Sequence, residues 1–426
     1  MKTVSKPNVD SLIADQVASM QPYIMFRIAK QVLELTPTLE AKGRKPIRMS
    51  IGAPTVSPPQ GLLDKVQELL AEPGIHTYSV PEGEPYFRQA VAKRMQSRFK
   101  VAVDWKTEVC SLIGSKEGLA AMFRGVITPK EEVMEKDIIL IPDPGYASYA
   151  DAIKIAGGLP YSMPLTPENN YLPDMNRVMQ ELNNRGYNAN YVKALILNYP
   201  SNPIGATAPL SYYEEVVRFA QEHNILIISD NAYSEMVFAG EEKPHSILEI
   251  AGAKDIAIEF HSLSKPYALT GWRIGFAVGN AVAINALNVV KSTMDSGLWK
   301  VHQKAAVYAM ESPACEQFVL DMNKVYAQKQ AIMKQGFMDL GWPEDTLNLP
   351  KATFYFWVPI PPRYTSCETF ATELLETSGV VVVPGTAFGK FGEGFIRLSL
   401  VNPDEELHQV VERMKTDGFT YLDATA

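Results

Sequence analysis

The sequence His-Ser-Leu-Ser-Lys at residues 261–265, followed by Thr-Gly-Trp-Arg-Ile-Gly at residues 270–275, carries the strongest signal for the fold. It comes directly after a run of apolar residues, as a loop does that closes a buried strand. A lysine sheltered beside small hydroxyl residues has its ammonium form disfavoured, which suits Schiff-base chemistry. Ser262, Ser264 and Arg273 can collect the oxygens of a phosphate through charge-assisted hydrogen bonds. For the short Ser-x-Ser-Lys motif alone, a surface lysine in a serine-rich turn is an equal alternative.

The chain around this motif indicates a mostly parallel sheet with helices on both faces. Short apolar runs end in Gly, Pro, Asn or Asp and alternate with amphipathic stretches, which is typical of an α/β domain. Ligands of such sheets bind beyond the carboxyl ends of the strands, so the polar residues that close each run are candidate site residues. The runs cover residues 109–113, 138–141, 194–197, 225–228, 256–260 and 274–278, and the helical stretches include 86–99, 211–223 and 282–294.

Three segments are predicted. Residues 1–52 form an N-terminal segment associated with the small domain, with helical spacing at 11–40 that Pro22 and Pro37 interrupt. Residues 53–300 form the large domain, and residues 301–426 form a smaller α+β domain. The small domain is predicted to contain strands at 354–358, 380–383 and 395–400, and helices at 315–340, 367–377 and 404–415.

Composition and charge exclude several classes of protein. The chain has 426 residues, and its net charge of −8 comes without a basic stripe that would bind nucleic acid. Cys110, Cys315 and Cys367 form neither a disulfide framework nor a zinc cluster, and the six histidines lack the spacing of a helical metal pair. Residues 1–7 are basic but precede no signal-peptide stretch, and no run approaches the roughly 18–20 apolar residues of a membrane span. We therefore expect a cytoplasmic protein without a metal, a nucleic-acid partner or a membrane partner.

The motif at residues 261–275 resembles the lysine signature of the class I and II aminotransferases, and especially of the bacterial branch that includes aspartate aminotransferases. The resemblance extends over roughly residues 52–397, with seven motifs in the family's order. It implies fold type I, the architecture of pyridoxal 5′-phosphate (PLP) transferases, and PLP as cofactor. It also implies that Lys265 holds PLP as a Schiff base and shuttles the proton. Ser262, Ser264 and Arg273 then belong to the phosphate side of the site.

Two further motifs concern the cofactor ring. Ser-Asp-Asn-Ala-Tyr at residues 229–233 resembles the family's Asp-Glu-Ala-Tyr element. This implies that Asp230 keeps the pyridine nitrogen protonated and that Tyr233 bonds the ring oxygen. Taken alone, an aspartate at a strand end is more often a helix cap or a turn residue. Asn-Tyr-Pro-Ser-Asn-Pro-Ile-Gly at residues 198–205 resembles the loop whose second asparagine, here Asn202, contacts the ring oxygen and the substrate carboxylate.

Two strand-to-helix turns complete the predicted cofactor site. Gly-Ser-Lys-Glu-Gly at residues 114–118 opens a helix, where free backbone N–H groups favour a phosphate. It resembles the family's phosphate-binding turn, which implies contacts from Ser115 and Lys116. Pro-Asp-Pro-Gly-Tyr at residues 142–146 resembles the loop whose aromatic residue, here Tyr146, stacks on the cofactor ring. A common glycine-rich turn and ordinary core packing are the alternatives for these two motifs by themselves.

The substrate and the partner subunit are assigned by resemblance alone. Phe-Ile-Arg-Leu-Ser at residues 395–399 resembles the strand whose arginine, here Arg397, binds the substrate α-carboxylate in a bidentate manner. The backbone of Gly52 meets the same carboxylate. Tyr78 resembles the tyrosine that reaches the neighbouring subunit's phosphate, which implies a homodimer with C2 symmetry.

The implied reaction is a ping-pong transfer of an amino group from an L-amino acid to a 2-oxo acid, with the tethered lysine amine as proton carrier. Lys116 takes the position that binds a distal carboxylate in the family's aspartate-specific branch, which favours aspartate and glutamate. Similar turns occur in diaminopimelate-pathway enzymes, and the aromatic segment at residues 22–26 favours a larger or apolar substrate. Diaminopimelate-pathway, alanine and aromatic amino acids are therefore alternatives. The fold also hosts C–S β-lyases, and a non-catalytic PLP-binding regulator is the least favoured hypothesis.

Overall fold

The computed structural model of the chain describes residues 9–422 except residues 19, 21 and 23. The basic N-terminus at residues 1–7 therefore lies outside the described residues, and so does Tyr23 of the aromatic N-terminal segment. Within the described part, none of the helices is both long enough and apolar enough to cross a membrane. The domain limits at residues 52 and 300 stay predictions.

The described part of the chain contains twelve strands and thirteen α-helices, together with short 3-10 helices and loops. The strands are β1 (Ile47–Arg48), β2 (Val109–Leu112), β3 (Ile138–Asp143), β4 (Leu159–Pro164), β5 (Val192–Leu197), β6 (Leu226–Asp230), β7 (Ala257–Ser262), β8 (Gly275–Gly279), β9 (Tyr355–Pro359), β10 (Val380–Val381), β11 (Val383–Pro384) and β12 (Phe395–Ser399). The helices are α1 (Asp15–Ala18), α2 (Ile24–Ala41), α3 (Gln60–Leu70), α4 (Pro85–Phe99), α5 (Ser115–Val126), α6 (Ser148–Ile155), α7 (Met175–Asn184), α8 (Leu210–His223), α9 (Ala281–Lys291), α10 (Lys300–Glu311), α11 (Pro313–Asp339), α12 (Cys367–Ser378) and α13 (Asp404–Thr416).

Seven of the strands form a central sheet in the order β2-β8-β7-β6-β5-β3-β4. The strands from β7 to β4 pair in parallel, whereas β8 runs antiparallel to both of its neighbours. A smaller antiparallel sheet contains β11, β12 and β9, and β1 pairs with β10. The predicted α/β class, with a mostly parallel sheet and a smaller α+β part, is confirmed.

The near-continuous apolar strands are explained by helices on both faces of the central sheet. Successive residues of a strand point to opposite faces. Leu195 of β5 packs into the core beside α4 and α10, whereas its neighbour Ile196 packs into the core beside α5 and α9. Ile227 and Ile228 of β6 divide in the same way. Because both faces are covered, the ends of the strands are the place for a ligand.

Two features differ from the sequence prediction. The edge strand β4 is absent from the predicted strands, because Pro160 and Pro164 break its apolar pattern. Proline is tolerated at a sheet edge, where its missing N–H can face away from the neighbouring strand. The predicted interruption at Pro37 is wrong, because α2 continues through it. Pro37 offers no N–H to the carbonyl of Leu33, but Leu33 is 71% exposed, so this missing bond lies on the solvent side of α2 and not in the core.

Candidate active site

A cavity of about 360 Å³ opens beyond the carboxyl ends of β2, β5, β6 and β7. The parallel arrangement explains this position, since each of these strands delivers the loop that follows it to the same edge of the sheet. Twelve of the thirteen predicted site residues line the cavity: Gly52, Ser115, Lys116, Tyr146, Asn202, Asp230, Tyr233, Ser262, Ser264, Lys265, Arg273 and Arg397. The exception is Tyr78, which is 86% exposed at the molecular surface.

Lys265 lies three residues after the end of β7. Its Nζ atom donates a hydrogen bond of 2.6 Å to the carbonyl oxygen of Gly52. Burial, together with the guanidinium groups of Arg397 and Arg273, lowers the pKa of Lys265 to about 8. The neutral amine is therefore more populated near neutral pH than in an exposed lysine, which favours its use as a nucleophile and proton carrier.

Asp230 is the last residue of β6, and its side chain is buried. The Tyr149 hydroxyl donates to Oδ2 over 2.5 Å, whereas Oδ1 has no hydrogen-bond partner among the described residues. Burial raises the pKa of Asp230 to about 6, although the bond from Tyr149 and the backbone bond from Ala232 oppose the rise. A buried carboxylate with one oxygen unsatisfied is suited to a cationic N–H donor in the cavity.

A chain of hydrogen bonds links the end of β6 to β12. Asn198, at the end of β5, donates from Nδ2 to the carbonyl oxygen of Asp230 over 2.8 Å and accepts the Asn202 N–H at 2.9 Å. Asn202 Oδ1 in turn accepts a bond of 2.8 Å from Nη1 of Arg397. The Nη2 atom of Arg397 donates to the carbonyl oxygen of Ser50 over 3.1 Å. This chain fixes Asn202 and Arg397 relative to the central sheet.

Arg397 is 3% exposed, so the solvent-facing position that is usual for an arginine in a strand does not apply. Its guanidinium carbon lies 4.3 Å from the ring centre of Tyr355 and 4.7 Å from that of Phe388. Cation–π contacts of this kind stabilise a desolvated charge and restrict its orientation. The Tyr355 hydroxyl is 2.9 Å from the hydroxyl of Tyr233. The Nε atom of Arg397 is buried without a partner among the described residues, which leaves a donor for an anionic ligand.

The N-terminus of α5 forms one wall of the cavity, and its orphan N–H groups favour an anion there. Gly114 precedes the helix with a φ of +98°, and a Cβ atom built on it would lie 2.4 Å from Nη2 of Arg273. Glycine is thus needed both for the backbone conformation and for the approach of the guanidinium. Ser262, Ser264 and Ser115 line the same cavity. A helix N-terminus, an arginine and three hydroxyl groups together suit a phosphate.

Four residues of the site are missing from the sequence prediction: Asn198, Tyr149, Tyr355 and Phe388. Asn198 lies inside a recognised motif, and a search for a second polar partner in that motif would have found it. Tyr149 lies in the first turn of α6, three residues after Tyr146, but nothing in the sequence indicates its hydrogen bond to Asp230 at the end of β6. Tyr355 and Phe388 contact Arg397 from other parts of the small domain, which only the tertiary structure reveals.

The profile of the family "Aminotransferase class I and II" matches residues 44–414. The chain belongs to this family. This aminotransferase is 43% identical to LL-diaminopimelate aminotransferase 2 of Trichormus variabilis over 410 residues, which cover 96% of the chain and 99% of the relative.

Two solved structures extend this likeness. The substrate-bound BacF structure from Bacillus subtilis has a TM-score of 0.87 at 30% identity, and covers 97% of this chain and 99% of its own. A double mutant of Thermus thermophilus aspartate aminotransferase has a TM-score of 0.84 at 26% identity, and covers 95% of this chain and 99% of its own. The predicted fold type I, the class of PLP-dependent transaminases and the PLP cofactor are confirmed.

The cavity of this aminotransferase fits PLP in three respects. The unsatisfied oxygen of Asp230 suits a protonated pyridine nitrogen. The Gly114 turn, with the N-terminus of α5 and Arg273, suits a phosphate. Lys265 shares the cavity with both and has a depressed pKa. Within the described residues, no group of three or more His, Cys, Asp or Glu side chains is placed to hold a metal ion.

Proposed function

We propose that the enzyme transfers an amino group between LL-diaminopimelate and a 2-oxo acid. The observation that carries this proposal is the identity of 43% over nearly the whole chain to LL-diaminopimelate aminotransferase 2 of Trichormus variabilis. This relative supports one of the alternatives considered for the sequence, rather than the preference for aspartate and glutamate. Lys116 in the cavity wall suits a second carboxylate, which LL-diaminopimelate shares with aspartate and glutamate, so the choice among these substrates rests on the relative.

We assign the cofactor contacts as follows. Asp230 pairs with the pyridine nitrogen, Tyr233 and Asn202 bond the ring oxygen, and Tyr146 stacks on the ring. The phosphate is held by a set of residues around the N-terminus of α5: Ser115, the backbone of Lys116, Ser262, Ser264 and Arg273. Each assignment is supported by the position of the residue in the cavity wall.

The substrate α-carboxylate is assigned to Arg397, with Asn202 and the backbone of Gly52. The guanidinium already donates to Asn202 Oδ1, and a Cβ atom on Gly52 would lie 4.0 Å from Nη2 of Arg397, so these three residues are neighbours. Lys116 is assigned to the distal carboxylate. The rings of Tyr355 and Phe388 exclude water around the guanidinium, which strengthens its interaction with a carboxylate.

Proton transfer is assigned to Lys265. When bound, PLP supplies an electron-accepting ring that stabilises negative charge at the substrate α-carbon. The Lys265 amine, tethered in the same cavity, would take the proton from the substrate α-carbon and deliver it to the C4′ carbon of the cofactor, the shift that amino transfer requires. With a pKa of about 8, well below that of an exposed lysine, the amine can act both as proton acceptor and as proton donor near neutral pH. Because the amine is held in the cavity, the proton transfer does not depend on a collision with a base from solution.

We further propose a cytoplasmic homodimer. The exposed position of Tyr78 supports the dimer, because this side chain lies outside the lining of its own cavity and is available to a second copy of the chain. In such a dimer Tyr78 of each copy bonds the phosphate in the neighbouring site.

A panel of amino donors tests the proposed substrate. We expect LL-diaminopimelate to give the highest kcat/KM with 2-oxoglutarate as acceptor, above aspartate, glutamate, alanine and phenylalanine. Lys116→Met should lower kcat/KM for LL-diaminopimelate roughly tenfold, the effect of one lost charge-assisted bond, and leave alanine nearly unchanged. Lys193→Met, at an exposed position on β5, is the control. A preference for aspartate or for an apolar donor would reject the substrate, and pyruvate and ammonia released from cystathionine without an acceptor would indicate a β-lyase.

Tyr149→Phe tests the assignment of Asp230. The bond from Tyr149 holds the pKa of Asp230 down against burial, so its loss raises that pKa above about 6. Since the ionised carboxylate binds the cofactor, PLP affinity should fall with decreasing pH, and the fall should begin roughly one pH unit higher in the variant. Fluorescence titration of the apoenzyme with PLP at several pH values measures the shift.

The control for this titration is Tyr212→Phe. Tyr212 is also a buried tyrosine that donates a hydrogen bond, but its acceptor is the carbonyl oxygen of Pro173, outside the cavity. The same pH profile in wild type and Tyr149→Phe would reject the role of Tyr149, and a shift in both variants would show a general effect of lost tyrosine hydroxyls.

A further inference from the structure

Asp143 is a buried carboxylate near the cavity that none of the roles above uses. It is the last residue of β3 and is 4% exposed. Its Oδ2 atom accepts a hydrogen bond of 2.7 Å from the Ser162 hydroxyl on the neighbouring strand β4. Its Oδ1 atom accepts a bond of 3.1 Å from the backbone N–H of Phe391. Phe391 lies in the loop that connects β11 to β12 of the small antiparallel sheet. The carboxylate therefore joins the central sheet to the loop at residues 385–392.

Two glycines make this junction close. Gly389 has a φ of +135°, and a Cβ atom built on it would lie 2.0 Å from Oδ1 of Asp143. No larger residue fits there without moving the loop or the carboxylate. On the other side of the junction, the N–H of Gly145 donates to the carbonyl oxygen of Phe388 over 2.8 Å. Phe388 is thus held directly through its own carbonyl, and the loop that carries it is held by Asp143 at Phe391, three residues further along the chain.

The junction connects the two halves of the site. Gly145 is followed by Tyr146, which lines the cavity at the proposed position of the cofactor ring. Phe388 packs its ring against the Arg397 guanidinium. A displacement of the loop would move Phe388, and with it one of the two rings that orient the guanidinium.

We propose that Asp143 is a positioning residue, which holds Phe388 against Arg397 and thereby sets the orientation of the guanidinium that binds the substrate carboxylate. The proposal rests on the role proposed for Arg397. An ionised acceptor forms stronger bonds with N–H and O–H donors than a neutral one, which accounts for a carboxylate at this buried position. Asparagine has nearly the same shape but lacks the charge.

The test is steady-state kinetics of Asp143→Asn as PLP-loaded enzyme. We expect KM for the amino acid to rise roughly tenfold and kcat to change less than about twofold, because an orienting contact for the carboxylate acts on binding. The PLP absorbance spectrum should be unchanged, since the substitution weakens the bond to the loop at residues 385–392 and removes none of the proposed cofactor contacts. LL-diaminopimelate and glutamate are both measured, because they share the α-carboxylate and either one reports on Arg397.

Asp137→Asn is the matched control. Asp137 comes directly before β3, at the end of the strand opposite to Asp143. It is also buried, and it accepts a bond of 2.8 Å from the Thr128 N–H. Its replacement weakens the same strand far from Phe388, so KM should not change. An equal rise of KM in both variants would show a general structural effect and overturn the proposal, as would an unchanged KM in Asp143→Asn.

Gly389→Ala disturbs the same contact from the loop, because its Cβ atom would collide with Oδ1 of Asp143. This variant tests the proposal if Asp143→Asn does not load with PLP. It should raise KM in the same direction. In the double variant the two effects should combine to less than their product, because both act through one contact. Full multiplication would overturn the proposal. If Arg397→Gln itself left KM unchanged, the proposed function of Arg397 would fail, and this is a separate result from a failure of Asp143 alone.

Discussion

Lys265→Ala should abolish amino transfer, with a fall in kcat of roughly 10⁴-fold, the upper range for the loss of a general acid–base group. The reason is that the Lys265 amine has no substitute among the described cavity residues: Lys116 lies at the opening turn of α5, and the other cations that line the cavity are arginines. PLP should still bind, since the contacts for its ring and phosphate remain. Single-turnover and steady-state assays with a sensitive detection of the 2-oxo product measure the loss.

Lys329→Ala is the matched control for this variant. Lys329 is likewise a buried lysine that donates to a backbone carbonyl, that of Asn402 over 2.6 Å, and burial lowers its pKa too. It lies in α11, outside the cavity, so its replacement should affect stability and leave kcat nearly unchanged. Substantial activity of Lys265→Ala would contradict the assignment of the proton carrier.

Arg397→Gln should lower kcat/KM by roughly 10³-fold, with most of the effect in KM. A bidentate arginine–carboxylate pair in a site without water contributes two charge-assisted hydrogen bonds, each worth about 1.5–3 kcal/mol. Arg397→Lys keeps the charge but loses the planar pair of donors, so it should fall between the wild type and the glutamine variant. Steady-state kinetics with LL-diaminopimelate and with glutamate provide the measurement.

Arg98→Gln is the control for the arginine variants. Arg98 is also largely buried, bonds Glu235 and two backbone carbonyls, and lies outside the cavity. A loss of kcat/KM in Arg98→Gln as large as that in Arg397→Gln would show that the kinetics report on stability. An unchanged KM in Arg397→Gln would exclude this residue from carboxylate binding.

The central sheet could be predicted from local sequence because its strands are buried on both faces. Runs such as those at 138–141 and 225–228 have no polar interruptions, and the observed β3 and β6 lie at the same places. Where a strand departs from that environment, the prediction fails: β4, at the edge, contains two prolines and is missed. The continuation of α2 through Pro37 is missed for a related reason, since the effect of proline depends on whether the freed carbonyl is exposed.

The candidate site was predictable where a motif carries it, and not where tertiary contacts create it. Asp230 and Lys265 close buried strands, and the rule that such residues gather at one sheet edge places them together. The side chains that contact Asp230 and Arg397 could not be predicted in this way. Tyr149 and Phe388 come from segments whose sequences carry no mark of the contacts that they make with Asp230 and Arg397. Only the packing of α6 and of the loop at residues 385–392 brings them there.

The most direct test of the account is the absorbance spectrum of the purified enzyme before and after LL-diaminopimelate or glutamate is added without an acceptor. We expect the long-wavelength band of PLP linked to a lysine, which shifts to shorter wavelength as one equivalent of 2-oxo acid per site is released. Lys265→Ala should show neither the initial band nor the release. A wild-type enzyme that forms no lysine-linked band in the presence of PLP would contradict the central claim that Lys265 holds the cofactor.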